Sequence, residues 1–255
     1  MEERVAAQRV MAGDARPLEE MVAVEEPLEI HINGQPWVTT MRTPGHDRDL
    51  TLGLLYSEGL LSDLNDIEQI QIDDNVVLIE GQISMDGHTR GFVRSSSCGV
   101  CGRASLDAIL ARQPPVISPE GFTIDCSAID SLLRHLRKKQ SIFDTTGGVH
   151  AVALFNQNSI ITDLAEDVGR HNAMDKIIGR SLTQIPFSNT GFLLSGRVSF
   201  EMVQKAVMVG SPCIIAIGAP TTLAIDLARQ HGITLIGFAR DLRFNVYTGS
   251  WRLID

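Results

Sequence analysis

The stretch Ser95-Ser96-Ser97-Cys98-Gly99-Val100-Cys101-Gly102 sets two thiols among small polar residues. Three serines and two glycines offer no apolar face to bury, so the sequence predicts a loop that can move and be reached. Reach matters because the thiolate is the attacking species in thiol exchange and persulfide chemistry, and its use depends on access and a lowered pKa. Arg94 and Arg103 flank the loop and can supply positive potential. In a reducing compartment, cysteines at this spacing indicate redox, metal or sulfur-transfer chemistry before they indicate a structural bridge. The remaining two, Cys126 and Cys213, read as ordinary core or helix-start residues.

A second set of chemistry-bearing residues lies in the last third of the chain. Strands and helices alternate there, and in open parallel sheets ligands sit beyond the carboxyl ends of the strands. Those ends are Ser195-Gly196-Arg197, Gly218-Ala219-Pro220-Thr221 and Phe238-Ala239-Arg240-Asp241-Leu242-Arg243. Arginine suits bidentate phosphate contacts, and small residues let backbone amides approach an anion. Phe238 offers a face for stacking on a base, and Asp241 a carboxylate that can accept from a purine edge. The alternative is that Phe238 closes the core and the arginines are merely solvated. Two polar loops, Thr145 to His150 and Glu166 to Asn172, place glycine beside arginine or histidine; at a helix start that arrangement favours anions, although a structural turn fits equally.

Elements must position these groups, and most can be outlined from sequence. Residues 1–17 show no sustained period and are expected to be a flexible leader, with order beginning near Val22. Leu28 to Ile32, Asn33-Gly34 and Trp37 to Met41 give a hairpin. A helix follows from a cap at Asp47 to about Gly59, then short β-prone runs at 67–72, 76–80 and 89–93. Residues 18–112 thus form an N-terminal α+β domain that ends in the cysteine loop and a helix over Leu106 to Leu110. Pro114-Pro115 marks the linker, and residues 113–255 form a C-terminal α/β domain. Within it Asp125 or Ser127 caps a helix with Ile129, Leu132, Leu133 and Leu136 on one face. A hairpin flanks Asn156-Gln157-Asn158, a short helix spans Asn172 to Gly179, and strand and helix then alternate from Phe192 to Phe238, which predicts a parallel core sheet.

Composition narrows the function. The 255 residues are 44% hydrophobic, enough for a sizeable core, and carry a net charge of −9, which argues against a nucleic-acid surface. The N-terminus has no apolar run of the secretory kind and the chain has no membrane-length apolar run, so a cytoplasmic soluble protein is expected. One Cys-x-x-Cys without a second close pair argues against structural zinc. The zinc deaminase signature is missing, since neither His150 nor His171 opens a His-x-Glu and Ser97 stands where a proline belongs. There is neither a P-loop nor a dinucleotide glycine fingerprint.

Taken together these stretches resemble the FdhD family, the formate dehydrogenase accessory sulfurtransferases. The resemblance rests on Glu26-Pro27-Leu28, Arg42 to Asp47, Ser97 to Gly102, Thr146 to His150, Gly169 to Lys176, Ser195-Gly196-Arg197, Ala219-Pro220-Thr221, Gly237 to Arg240 and Asn245 to Thr248, in one order over about nine-tenths of the chain. One departure is Gly218, where the family pattern has serine. The resemblance implies a sulfur carrier that accepts persulfide sulfur from a cysteine desulfurase and passes it to the bis(molybdopterin guanine dinucleotide) molybdenum cofactor of formate dehydrogenase. It implies Cys98 as the persulfide carrier, Cys101 as its partner, and Phe238, Ala239, Arg240, Asp241, Leu242 and Arg243 as the cofactor-contacting segment, for which GDP is a mimic. It also implies a homodimer and a C-terminal three-layer domain similar to cytidine deaminases, without their metal. Two other uses stay open: a cofactor-insertion chaperone that transfers no sulfur, and a dithiol oxidoreductase cycling a Cys98–Cys101 disulfide.

Overall fold

The computed structural model describes residues 1–85, 93–94 and 113–255. The chain opens on a two-stranded antiparallel ribbon, β1 (Glu2–Met11) and β2 (Asp14–Ala23), paired from Glu2↔Ala23 to Met11↔Asp14. This corrects the expected flexible leader. Ala12 and Gly13, both at positive φ, form a tight turn, and the ladder needs no hydrophobic period because both faces of the ribbon are largely in water.

A five-stranded sheet follows, from β3 (Glu26–Ile32), β4 (Gln35–Arg42), β5 (Ile67–Asp73), β6 (Val76–Gly81) and β7 (Val93–Arg94), in the order β5-β6-β3-β4-β7. The Asn33-Gly34 hairpin forms as the sequence predicts, with both residues at positive φ. Alternation along β3 buries Leu28, Ile30 and Ile32 against Leu50, Leu54 and Leu55 of helix α1 (Asp47–Ser57). Asp47 does not cap this helix. His46 holds the cap position at φ 60 with no side-chain cap bond, and Asp47 accepts both arms of the buried Arg42 at 3.0 Å. The ion pair outcompetes the cap because Arg42, 2% exposed, must be neutralised.

The C-terminal unit contains β8 (Ile124–Asp125), α2 (Ala128–Lys139), α3 (Ser141–Thr146), β9 (His150–Asn156), β10 (Ile161–Asp167), α4 (Arg170–Arg180), β11 (Thr190–Leu194), α5 (Phe200–Met208), β12 (Cys213–Ala216), α6 (Thr222–Gln230), β13 (Thr234–Arg240), β14 (Arg243–Thr248) and β15 (Leu253–Ile254). Ser127 holds the cap position of α2 without a side-chain bond; Asp125 accepts from the Ser127 amide instead. The main sheet runs β10-β9-β11-β12-β13-β14. Only β11, β12 and β13 are mutually parallel, so the expected parallel sheet is a parallel centre inside a mixed one. Hairpins add β9–β10 on one side and β14 on the other, and a hairpin can only return antiparallel. Successive strand residues then serve opposite faces: Phe192 and Leu194 pack with α4, α5 and α6, whereas Leu193, Ile215 and Ile236 pack with Ile129, Leu132 and Leu136 of α2.

The two units meet along α1 and α4, whose backbones touch at Gly53 and Gly179. A Cβ on Gly53 would overlap the Asp175 carbonyl, and one on Gly179 the Asp49 carbonyl. Around this crossing lies a buried polar network. Lys205 donates to both oxygens of Asp175 at 2.6 and 2.9 Å, and Ser57 donates to the same carboxylate at 3.0 Å. Lys176 pairs with Asp167 at 2.8 Å and donates to the Thr43 carbonyl, while Asp167 accepts from the Thr43 amide at 3.1 Å.

Candidate functional site

The carboxyl ends of the parallel strands are laced into one continuous rim by backbone bonds. The Gly218 amide donates to the Gly196 carbonyl at 3.1 Å, the Phe238 amide to the Gly218 carbonyl at 3.2 Å, and the Val198 amide to the Ala219 carbonyl at 3.1 Å. A Cβ at Gly218 would stand 2.7 Å from the backbone of Gly196 and Arg197. The serine of the family pattern would therefore need these loops to separate.

Arg170 and His171 open α4 on this rim, at a helix start whose Gly169 cap provides no side-chain acceptor for the free amides. The His150 ring stands at the start of β9 against Gly196, where a Cβ would meet its Nδ1 at 3.2 Å and Arg170 Cδ at 3.9 Å. Arg197, exposed, completes the cluster. Burial, then the charges of Arg170, His171 and Arg197, holds the His150 imidazole below the ordinary histidine range. Burial and then Arg197 also push the Arg170 guanidinium downward, partly offset by Glu201, and Arg170 Nε is buried without a hydrogen-bond partner. Basic groups held together in this way, beside open helix amides, suit an anion with several oxygens. His171 is tied back by Glu201 at 2.9 Å and by Ser199 at 3.2 Å, which leaves Arg170, Arg197 and His150 to face a ligand. No motif in the sequence points to Glu201 or Ser199.

The segment Phe238 to Arg243 divides between two places. Phe238 is 41% exposed at φ 52 beside Gly218, so it does not close the core and its ring is open to stacking. Ala239 is fully buried under α2 and presents no side chain outward. Arg240, Asp241, Leu242 and Arg243 make a tight hairpin turn rather than a loop, with Asp241 and Leu242 both at positive φ. Arg240, Leu242 and Arg243 line a cavity of 260 Å³ closed by Cys126, Asp130 and Leu133; Asp241 lies outside it, exposed at the turn. Backbone strain in three non-glycine residues out of five is the kind kept at ligand sites.

Cys98 and Cys101 lie outside the described residues. What is described is the strand that leads to them: β7 pairs with β4, Val93 opposite Thr39 and Arg94 opposite Thr40. Thr40 in turn donates to Asn172, in the first turn of α4, at 3.3 Å. Among the other thiols, Cys213 is pushed up to about 12, by burial above all, and Cys126 upward by burial and then Asp255 and Asp125, so both hold their protons at neutral pH. Within Gly169 to Lys176 the roles separate: Arg170 and His171 face the rim, and Asn172, Asp175 and Lys176 weld the two units.

Comparison with known proteins follows this division. Residues 23–254 match the sequence model of the FdhD/NarQ family. Proteins named Sulfur carrier protein FdhD are similar along nearly their whole length: that of Streptomyces avermitilis is 41% identical over 278 residues, covering 98% of this chain and 95% of the relative. That of Sulfolobus acidocaldarius is 42% identical over 254 residues, covering 98% of each. The crystal structure of a formate dehydrogenase accessory protein from Desulfotalea psychrophila shares the fold with a TM-score of 0.82 at 23% identity, covering 99% of both chains. The near-complete match in sequence, together with the shared fold, places the chain in the FdhD/NarQ family.

Proposed function

We propose that this protein is a sulfur carrier in the maturation of formate dehydrogenase, with Cys98 as the carrying thiol and the strand-end rim as the seat of the guanine dinucleotide end of the molybdenum cofactor. The observation that carries this reading is the tether. Arg94 stands opposite Thr40, which bonds to α4 two residues beyond Arg170, and four residues of chain from Arg94 to Cys98 span at most about 14 Å. Arg94, the described residue nearest the thiol in the chain, therefore lies beside the strand that bonds to the first turn of α4, the helix that opens the cationic rim. Sulfur arrives by exchange: the Cys98 thiolate attacks the outer sulfur of a cysteine desulfurase persulfide, a new S–S bond forms on Cys98, and the desulfurase cysteine leaves as its thiolate. Cys101 is the resolving or relaying partner. Arg170, Arg197 and the open amides of α4 hold the phosphates, Phe238 stacks on the base, and Arg240 and Arg243 steady the remainder of the cofactor. The layered C-terminal unit is then a cytidine deaminase-like body used without a metal.

Two measurements test separate parts. After incubation with a cysteine desulfurase and cysteine, mass spectrometry is expected to find one added sulfur on Cys98; a Cys98→Ala protein that still loads sulfur and still activates the dehydrogenase refutes the carrier role. In a GDP titration, Arg170→Ala is expected to bind roughly ten- to a hundredfold more weakly, the scale of one lost charge-assisted bond. Unchanged affinity removes the rim from the proposal. Nucleotide binding without sulfur loading in the wild type would favour the insertion chaperone.

A further inference from the structure

Arg252 stands in the turn after β14 as a buried cation whose partners are all neutral. Its side chain is 0% exposed, and it donates to the Gly232 carbonyl at 2.6 Å, the Thr234 hydroxyl at 3.2 Å and the Ser118 carbonyl at 2.5 Å. Its Nε is buried without a hydrogen-bond partner, and its guanidinium rests 5.4 Å from the centre of the Trp251 ring. An aromatic face offsets part of a cation's lost hydration, but buried charges are ordinarily met by opposite charge. No carboxylate among the described residues pairs with Arg252, so its positive potential acts on the space beside it.

That space is a cavity of 490 Å³, within the range of small-molecule sites. Pro114, Pro115, Val116 and Trp251 give it an apolar surface, Arg229 and His231 a polar one, and none of its lining residues is acidic. On a chain of net charge −9 this is a local reversal. Trp251 and Val116 are 57% and 96% exposed, so the apolar surface is open. His231 Nε2 is a second buried nitrogen without a partner. Burial holds this imidazole below the ordinary histidine range; the neutral ring with its proton on Nε2 donates to an acceptor oxygen. Arg229 meets Asp226 at 3.1 Å, both mostly in water, where such a pair contributes little and leaves the guanidinium able to turn to a ligand. The cavity lies at the amino end of β13, because Arg252 grips Gly232 just ahead of that strand. Phe238 on the rim is roughly 20 Å further along the strand.

We propose that this cavity is a second binding site, for a carboxylate carried on a flat apolar body. The body lies against Trp251 and the prolines, and the carboxylate meets His231 and Arg229 over the positive field of Arg252. A free aromatic acid and the carboxyl end of a peptide that finishes in an aromatic residue share this chemistry. The inference is independent of sulfur transfer, since the cavity includes neither the thiols nor the rim.

The test uses the full-length Trp37→Phe protein, in which Trp251 is the only tryptophan. It is titrated with phenylacetate, with phenylacetamide and with N-acetyl-alanyl-phenylalanine. Phenylacetate is expected to change the Trp251 fluorescence and to bind with a dissociation constant of roughly a millimolar or tighter, the scale for a ligand of its size. Phenylacetamide, alike in shape but neutral, should bind roughly tenfold more weakly or worse. By calorimetry, Arg229→Ala is expected to weaken phenylacetate about three- to tenfold and Trp251→Ala about tenfold. Arg229 is exposed, so its removal leaves the fold intact. An acetyl dipeptide that binds more tightly than phenylacetate assigns the site to a peptide end, and one that binds more weakly assigns it to a free acid. No saturable binding of either acid, equal binding of acid and amide, an affinity indifferent to both variants, or displacement of phenylacetate by GDP overturns the proposal.

Discussion

At the scale of single residues, three basic side chains crowd at the rim because each is anchored by a different element. Of these, His150 is the one that gains a proton as the pH falls. Its imidazole is neutral at pH 7 because burial and then Arg170, His171 and Arg197 disfavour the cation, with Glu201 held by His171 nearby. A bound polyphosphate reverses that balance and raises the histidine pKa, so binding takes up a proton. Affinity for GDP should then strengthen as pH falls from 7.5 toward 6, and the increment should vanish in His150→Gln, which isolates it from the nucleotide's own titration. Isothermal titration in two buffers of different ionisation enthalpy measures the proton uptake; a wild type that takes up no more protons than His150→Gln refutes it. The same residues were only partly legible in the sequence. Arg170 and His171 stood out as glycine-flanked cations at a helix start, but nothing local distinguishes them from Asn172 and Lys176, which point the other way on the same helix.

At the scale of elements, the α1–α4 crossing depends on the absence of two side chains. Gly53 and Gly179 bring backbone against backbone, with neighbours that are carbonyls rather than movable side-chain ends. Gly53→Ala is favourable for an isolated helix yet is expected to destabilise the fold by about 2–3 kcal/mol or more, because overpacking here must push whole helices apart. Urea denaturation checks this: a midpoint equal to or above wild type shows that the crossing relaxes without cost. Helices and strands of the last third were readable from period and stop signals, with Ser199 and Thr221 at the starts of α5 and α6. The ribbon was not, since strand periodicity reports burial of one face and this element buries little of either.

At the scale of the molecule, the units before and after Pro114-Pro115 are joined by a buried network rather than by a hinge. Asp175 takes Lys205 from its own unit and Ser57 from the other, and Lys176 with Asp167 grips Thr43 across the joint. The two halves should therefore unfold together. The chain has two tryptophans, Trp37 in the first unit and Trp251 in the second. Trp37→Phe and Trp251→Phe proteins leave one probe in each half, and their fluorescence midpoints are expected to coincide; separated midpoints refute a single cooperative body. Asp175→Ala, which strands the Lys205 ammonium in the interior, should cost about 3–5 kcal/mol in either background.

The sequence by itself determined the chemistry and the kinship: two thiols on a small-residue stretch, a cationic helix start, and a run of signatures in one order. It also determined the elements whose burial is periodic. Only the tertiary structure decided which signature residues meet. It turned Arg170 toward His150 and Arg197 while sending Asn172, Asp175 and Lys176 into the joint, divided Phe238 from Arg240 and Arg243, and set Arg94 beside the strand that touches α4. The reason is physical. Periodicity encodes how much of a face is buried, whereas the partner across that face is set by strand order and helix crossing, which residues far apart in the chain fix jointly.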